Sequence, residues 1–224
     1  MSFFEYAILA TISILAVAMV IWYFRVRREM ILLTRTVVVE LEKYFKPRDK
    51  TYTLLGYLVG FKGKYELGNG DQVFILFTTM PRMSLLYYPI AKLLGRRDRL
   101  EVALKYANRY VLRDFHLVNV SDKWAAGTFL RDVGEKRGKL ERREIGGKRG
   151  NFVAFLESPE DEGLAKKLLD ISKVEVHRVS AYKDQNLVDV AVEAKLGAVG
   201  ELLKLHEEVR KRVTKSRFPE AEEV

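Results

Sequence analysis

Residues 6–24 read YAILATISILAVAMVIWYF, 19 positions without a charge, and the fold of the chain is decided by how this run is read. At about 1.5 Å per residue, a helix of this length nearly matches a hydrocarbon core of roughly 30 Å. Phe3, Phe4 and Tyr6 flank one end, and Trp22, Tyr23 and Phe24 the other. Amphipathic rings at both ends are the signature of a helix that meets two membrane interfaces. A cleavable signal peptide needs a basic start, a shorter apolar stretch and a small-residue cleavage site. Here no Lys or Arg precedes the run, and bulky rings followed by Arg25, Arg27 and Arg28 close it. The reading is a single transmembrane anchor with its basic flank over residues 1–27. By the positive-inside rule the N-terminus lies outside the cell membrane and the rest of the chain in the cytoplasm.

Outward from the anchor, residues 28–45 (REMILLTRTVVVELEKYF) carry apolar residues largely at helical spacing, and Pro47 ends that pattern. The β-branched run 37–39 suits a strand equally well. YTLLGYLVGFKGKYEL (52–67), interrupted by Gly56, Gly60 and Gly63, predicts one bent strand or a hairpin. A GNGD turn then leads to QVFILFTT (72–79), a short buried strand. MSLLYYPIAKLL (83–94) predicts a helix interrupted or kinked at Pro89 and capped by Gly95. Strands are expected over 99–106, 115–120, 152–157, 174–182 and 187–195. A helix starting at Ser158-Pro159-Glu160-Asp161 runs to about Ile171, with the acidic first turn that a helix dipole favours. A final helix covers about 197–213. The expected class is α+β: one N-terminal transmembrane helix, then a cytosolic mixed domain over 28–215 with antiparallel strands and a C-terminal helix. Residues 216–224 form a tail.

Charge is distributed unevenly. Residues 25–150 hold 27 Lys and Arg against 14 Asp and Glu, whereas residues 151–224 hold 12 against 15. A thermophile surface is heavily charged but mixes its signs, so the membrane-proximal excess points to a polyanion, either anionic headgroups or RNA. Two clusters carry it: Arg96, Arg97 and Arg99, and then Lys136, Arg137, Lys139, Arg142, Arg143, Lys148 and Arg149. The second lies in RDVGEKRGKLERREIGGKRG (131–150), whose five glycines and scant apolar content predict a loop or a solvated hairpin. Forked or flexible cations contact phosphates, and glycine lets a loop follow an uneven surface. That loop has no interleaved aromatics, so base stacking is not expected.

Catalytic signatures do not emerge. His116, His177 and His206 lie on unrelated elements without a metal-ligand spacing, and the chain has no cysteine for thiolate sites or disulfides. Neither a nucleophile elbow nor a phosphate loop is present. Asp161 and Glu162 fit a helix start better than an acid pair. The reading is a non-enzymatic protein without a cofactor or metal.

In element order, QVFILFTTMPRMSLLYYPIAKLLGRRDRLEVALKY (72–106) and KVEVHRVSAYKDQNLVDVAVEAKLGAVGELLKLHEEVRKRV (173–213) resemble the corresponding stretches of the calumin family. That family is the coiled-coil subunit of the PAT complex in the multipass translocon. The likeness spans roughly 6–213, rests on element order and scattered apolar positions, and suggests a compact relative of archaeal type. Eukaryotic members carry a long acidic segment before the membrane helix and end in a long basic coiled coil. This sequence shows neither, and its last helix covers barely two heptads. The resemblance implies a chaperone of membrane-protein insertion standing between ribosome and Sec translocon. Its partners would be ribosomal RNA, membrane lipid, nascent multipass proteins and a small Asterix-like membrane protein. The alternative is a membrane-anchored basic module for anionic lipid or RNA, without a translocon.

Overall fold

The computed structural model describes residues 3–56, 58–107, 110–123, 126, 127, 129, 140–147 and 150–216. Its first element, α1 (Phe3–Phe45), is a single helix of 43 residues, about 65 Å long at 1.5 Å per residue. The run expected to cross the membrane and the helical pattern over 28–45 are thus one helix, and the boundary expected after residue 27 falls inside it. Residues 37–39 are helical because Val37 belongs to a stripe of buried residues, with Val26, Met30 and Leu41, spaced four, seven and four apart. Burial of that stripe outweighs the small β-branched penalty. The helix stops where Lys46 takes a left-handed φ of 44° immediately before Pro47.

The domain is built on nine strands: β1 (Asp49–Gly56), β2 (Gly60–Glu66), β3 (Gln72–Thr78), β4 (Arg99–Lys105), β6 (Phe115–Asn119), β7 (Glu141–Gly147), β8 (Gly150–Leu156), β9 (Val176–Tyr182) and β10 (Leu187–Glu193). Their order across the sheet is β1-β2-β3-β4-β10-β9-β6-β8-β7, with every pair antiparallel. β5 (Tyr110–Leu112) and β11 (Thr214–Ser216) form a separate short pair. The further helices whose bounds are described are α2 (Tyr87–Leu93), α3 (Glu162–Ile171) after a 3₁₀ turn, and α4 (Ala198–Val213).

Period-two alternation sorts each strand. Phe61 and Tyr65, Val73, Ile75 and Phe77, Leu100 and Val102, and Val188, Val190 and Val192 are all buried on one face. α1, α3 and α4 supply the other side of this core through residues such as Leu41, Leu168 and Leu202. On the opposite face a smaller cluster, Val118, Phe129, Val153 and Phe155, lies over β6 and β8. Burying large apolar side chains at roughly 1.5–3 kcal/mol each holds these layers together.

Two expectations change in detail. The helix expected over 83–94 forms only over Tyr87–Leu93. Pro89 sits in its first turn rather than kinking it, because a proline there sacrifices no intrahelical hydrogen bond. Gly95, at φ 71°, does cap it: Gly95 N–H reaches Lys92 O and Arg96 N–H reaches Ala91 O, both at 3.0 Å. Within 131–150, residues 131–139, 148 and 149 lie outside the described residues. Glu141–Gly147 is a strand paired along its whole length with β8, so the hairpin alternative holds for that part.

Candidate membrane-facing surface

The register places all the strand ends nearest the apolar half of α1 together. Gly60 pairs with Thr78, Thr78 with Arg99, and Arg99 with Glu193. Val192 pairs with Val176, Asn119 with Phe152, and Gly147 with Gly150. The β3–β4 connection leaves this end of the sheet and carries α2.

At that connection the helix is gripped by a buried carboxylate. Asp98, 3% exposed, accepts the Met80 backbone N–H at 2.6 Å and pairs with the Arg82 guanidinium. The Arg82 carbonyl, held in place by this turn, accepts the Trp22 indole N–H at 2.8 Å. The Trp22 ring also lies 6.2 Å from that of Tyr88. Burial pushes the Asp98 carboxyl above its ordinary range, against the opposing pull of Met80 and Arg82. Trp22 lies in the last turn of the apolar run, so the sheet meets α1 where a membrane interface is expected.

A second tie holds the far end of α1. Glu42 accepts Tyr52 Oη–H at 2.6 Å and Lys50 Nζ–H at 2.7 Å, and Tyr52 and Tyr65 share a hydroxyl contact at 2.6 Å. The Lys50 and Tyr52 bonds lower the Glu42 carboxyl, and burial raises the Tyr52 phenol. α1 is therefore fastened to the domain about 20 residues apart, at Trp22 and at Glu42, with the buried stripe between.

Of the expected anchor residues, Tyr6 and Phe24 are exposed, Trp22 and Tyr23 half-buried, and Arg25, Arg27 and Arg28 exposed, with Arg25 3.3 Å from Glu29. The helix is long and apolar enough to cross a membrane, and its apolar window is fully uncovered by the rest of the chain.

Among the described residues, the basic side chains of the two expected clusters differ in burial and pairing. Arg99 is a correction. It is only 8% exposed and bonds Asp122 at 2.6 Å, with His177 Nδ1 3.0 Å from the same carboxylate. A guanidinium committed to a buried carboxylate has no fork left for a phosphate. Arg97 pairs with Glu175, whereas Arg96 is exposed beside α2. Arg142 and Arg143 are consecutive on β7, so they project to opposite faces of the sheet. Arg142 lies 2.8 Å from Glu144, and Arg143 pairs with Glu141 and approaches Glu162 at 4.0 Å. Lys136, Arg137, Lys139, Lys148 and Arg149 lie outside the described residues.

The histidines are internal. Burial lowers His116 to about 3, with Arg178 adding to the effect. Burial lowers His206 to about 4, although its Nε2 contacts Val102 O at 2.7 Å. Arg178 joins Glu101 at 2.8 Å and Asp189 at 2.5 Å on the same face as His116. Among the described residues, no group of three His, Cys, Asp or Glu is gathered closely enough to hold a metal ion.

Sequence reasoning missed the Asp98–Arg82–Trp22 grip. Its one signal was an acid inside a run of arginines, Arg96-Arg97-Asp98-Arg99, where a solvated cationic patch has no use for it. Compared with known proteins, the chain matches no family and no curated sequence. The resemblance described above therefore rests on element order.

Proposed function

We propose that this protein is a membrane-anchored, non-enzymatic factor of membrane-protein biogenesis. α1 crosses the cell membrane with its N-terminus outside, and the domain stands in the cytoplasm beside ribosome and Sec translocon. In the membrane a small Asterix-like protein pairs with α1, and nascent multipass proteins are the clients. The carrying observation is the fastening of α1 at Trp22 and Glu42, which holds a folded domain in one stance at the mouth of an apolar helix. A fixed stance suits a protein that must present one face to a translocon. The element order of the calumin family supports the same reading. Unfinished membrane segments with polar groups are costly in lipid until they find partners, and a surface that holds them lowers that cost.

A tagged full-length protein, drawn from its own membranes in mild detergent with and without a high-salt wash, tests the proposal. Recovery of Sec subunits, a small membrane protein and salt-labile ribosomes is expected, since phosphate contacts weaken steeply with salt. Recovery of the protein alone would overturn it.

One observation favours the second reading, a basic module for anionic lipid. The exposed Arg27, Arg28 and Arg96 belong to the membrane end of the molecule, with Arg35, Arg48, Arg210 and Arg212 exposed elsewhere, while Arg99 is buried against Asp122 and the exposed Arg142 and Arg143 pair with neighbouring carboxylates. Under that reading, replacing Arg27, Arg28 and Arg96 by Glu weakens adhesion to anionic vesicles and leaves the set of co-purified proteins unchanged.

A further inference from the structure

α2 is apolar on the wrong side for a helix in water. Leu86 just before it and Leu93 within it are 71% and 88% exposed, and Ile90 and Leu94 are 52% and 68% exposed. Their spacing of four, three and one makes one outward stripe. The inward side carries Ala91, fully buried, and the half-buried Tyr88 against Trp22. A water-facing helix would bury the leucines and expose the alanine.

Where this stripe lies identifies what covers it. α2 is attached to α1 at Trp22, through the Arg82 carbonyl and the Tyr88 ring, and Trp22 is among the last residues of the uncharged run. The stripe is thus continuous with the surface of the membrane-spanning run and lies at the depth of its aromatic end. Lys92 and Arg96 are exposed at the C-terminal end of α2, placed to reach headgroups, and the Gly95 cap turns the chain back towards the sheet. Apolar residues on one side with basic residues at the rim are the composition of a helix that lies in the interfacial plane.

We infer that α2 is a second membrane contact: a short interfacial helix that sinks Leu86, Ile90, Leu93 and Leu94 into the cytoplasmic leaflet beside α1. The inference rests on α1 spanning the membrane. It gives the domain two points of attachment, so the sheet cannot swivel about the α1 axis.

The absence of cysteine makes the test clean, because any introduced thiol is the only one. Leu93→Cys, Ile14→Cys and Val39→Cys, each carrying a nitroxide, are reconstituted as full-length protein into vesicles of phosphatidylcholine with phosphatidylglycerol. Collisional accessibility is then compared for oxygen, which partitions into lipid, and for a water-soluble nickel chelate. Val39 is exposed as well, but it lies 17 residues beyond Trp22 on α1, about 25 Å into the cytoplasm by helical rise. The expected result is an oxygen-to-nickel ratio at Leu93 several-fold above that at Val39 and close to that at Ile14. A Leu93 ratio equal to that at Val39, with Ile14 still in lipid, overturns the inference and leaves the anchor standing. A Leu93 label immobile and closed to both reagents also overturns it, showing a protein partner or a second copy on the stripe. Loss of the oxygen preference at Ile14 as well overturns the anchor itself. Leu93→Ser, with the label moved to Ile90→Cys, separates insertion from misfolding: a folded protein with a lowered ratio at Ile90 is expected.

Discussion

Replacing Asp98 by Ala should release the β3–β4 connection without unfolding the sheet. The carboxylate holds two partners, the Met80 N–H and the Arg82 guanidinium, in a site where Asp98 itself is almost fully buried. A hydrogen bond to a charged group contributes about 1.5–3 kcal/mol. Arg82 keeps 30% of its side chain in water, so its loss is partly made good by solvent. The combined penalty is about 2–3 kcal/mol, and at 1.36 kcal/mol per factor of ten this raises local opening roughly 30- to 150-fold. Asp98→Asn should be milder, about fivefold. Its carbonyl still accepts Met80 N–H, and removing the charge relieves the burial penalty that holds the aspartate's pKa up, leaving mainly the loss of Arg82 to count. Limited trypsin digestion of the full-length protein in vesicles reads the opening directly, at Arg82, Lys92 and Arg96, because native-state cleavage follows the population of the open form. Equal cleavage rates in Ala variant and parent would refute the grip. Equal rates in the Ala and Asn variants would refute the role given to the Met80 bond.

Leu41→Ala, at a fully buried position of α1, should lower stability by about 2–5 kcal/mol; a thermal melt of the detergent-solubilised protein that does not move would show that the distal half of α1 is not core. The protein should lose stability as pH falls from about 6.5 towards 4. His206 and His116 are held neutral when folded but take up protons when unfolded, so the unfolded state binds more protons throughout that window. Denaturant midpoints against pH for His206→Gln should flatten this slope, and an unchanged slope would refute it. Gly60→Ala should destabilise β2, since Gly60 holds a φ of 143° and a Cβ would meet Phe77 O at 1.9 Å; thermal melting tests this, and a stability equal to that of the parent would be the contrary result. Arg99→Ala should destabilise the fold by less than the cost of a fully stranded buried charge, about 3–5 kcal/mol, because His177 Nδ1 stays beside Asp122, whereas Arg96→Ala should leave the melting temperature unchanged.

The elements that burial alone decides were legible in the sequence. The alternation of Val188, Val190 and Val192, and the spacing of Val199, Leu202, Leu203 and Val209, each specify one buried face, and strand and helix formed there within a few residues of expectation. What sequence could not decide was the direction in which charged groups point. Arg99 reads as part of a cationic run, yet strand alternation puts it on the face that carries Glu101, where Asp122 from a later segment meets it. Arg142 and Arg143 sit among glycines that suggest a loop or a solvated hairpin. Pairing with the apolar strand β8 makes it the hairpin, and a sheet sends neighbours to opposite sides. The outward leucines of α2 were visible as letters. Their exposure emerged only once Tyr87–Leu93 had a tertiary neighbour, because periodicity fixes that a face exists and not which way it turns.

A helix without a joint between bilayer and domain is a lever. The part of α1 beyond Trp22 is 23 residues, about 35 Å of rigid arm by helical rise. A membrane span tilts to match the thickness of its bilayer, and with no flexible link to absorb the motion, a 10° change swings the Phe45 end by roughly 6 Å. If α1 spans the membrane as proposed, thin and thick bilayers set the sheet at different heights and attitudes above the lipid. Under the proposed anchoring, bilayer thickness becomes a quantity that the folded domain registers mechanically.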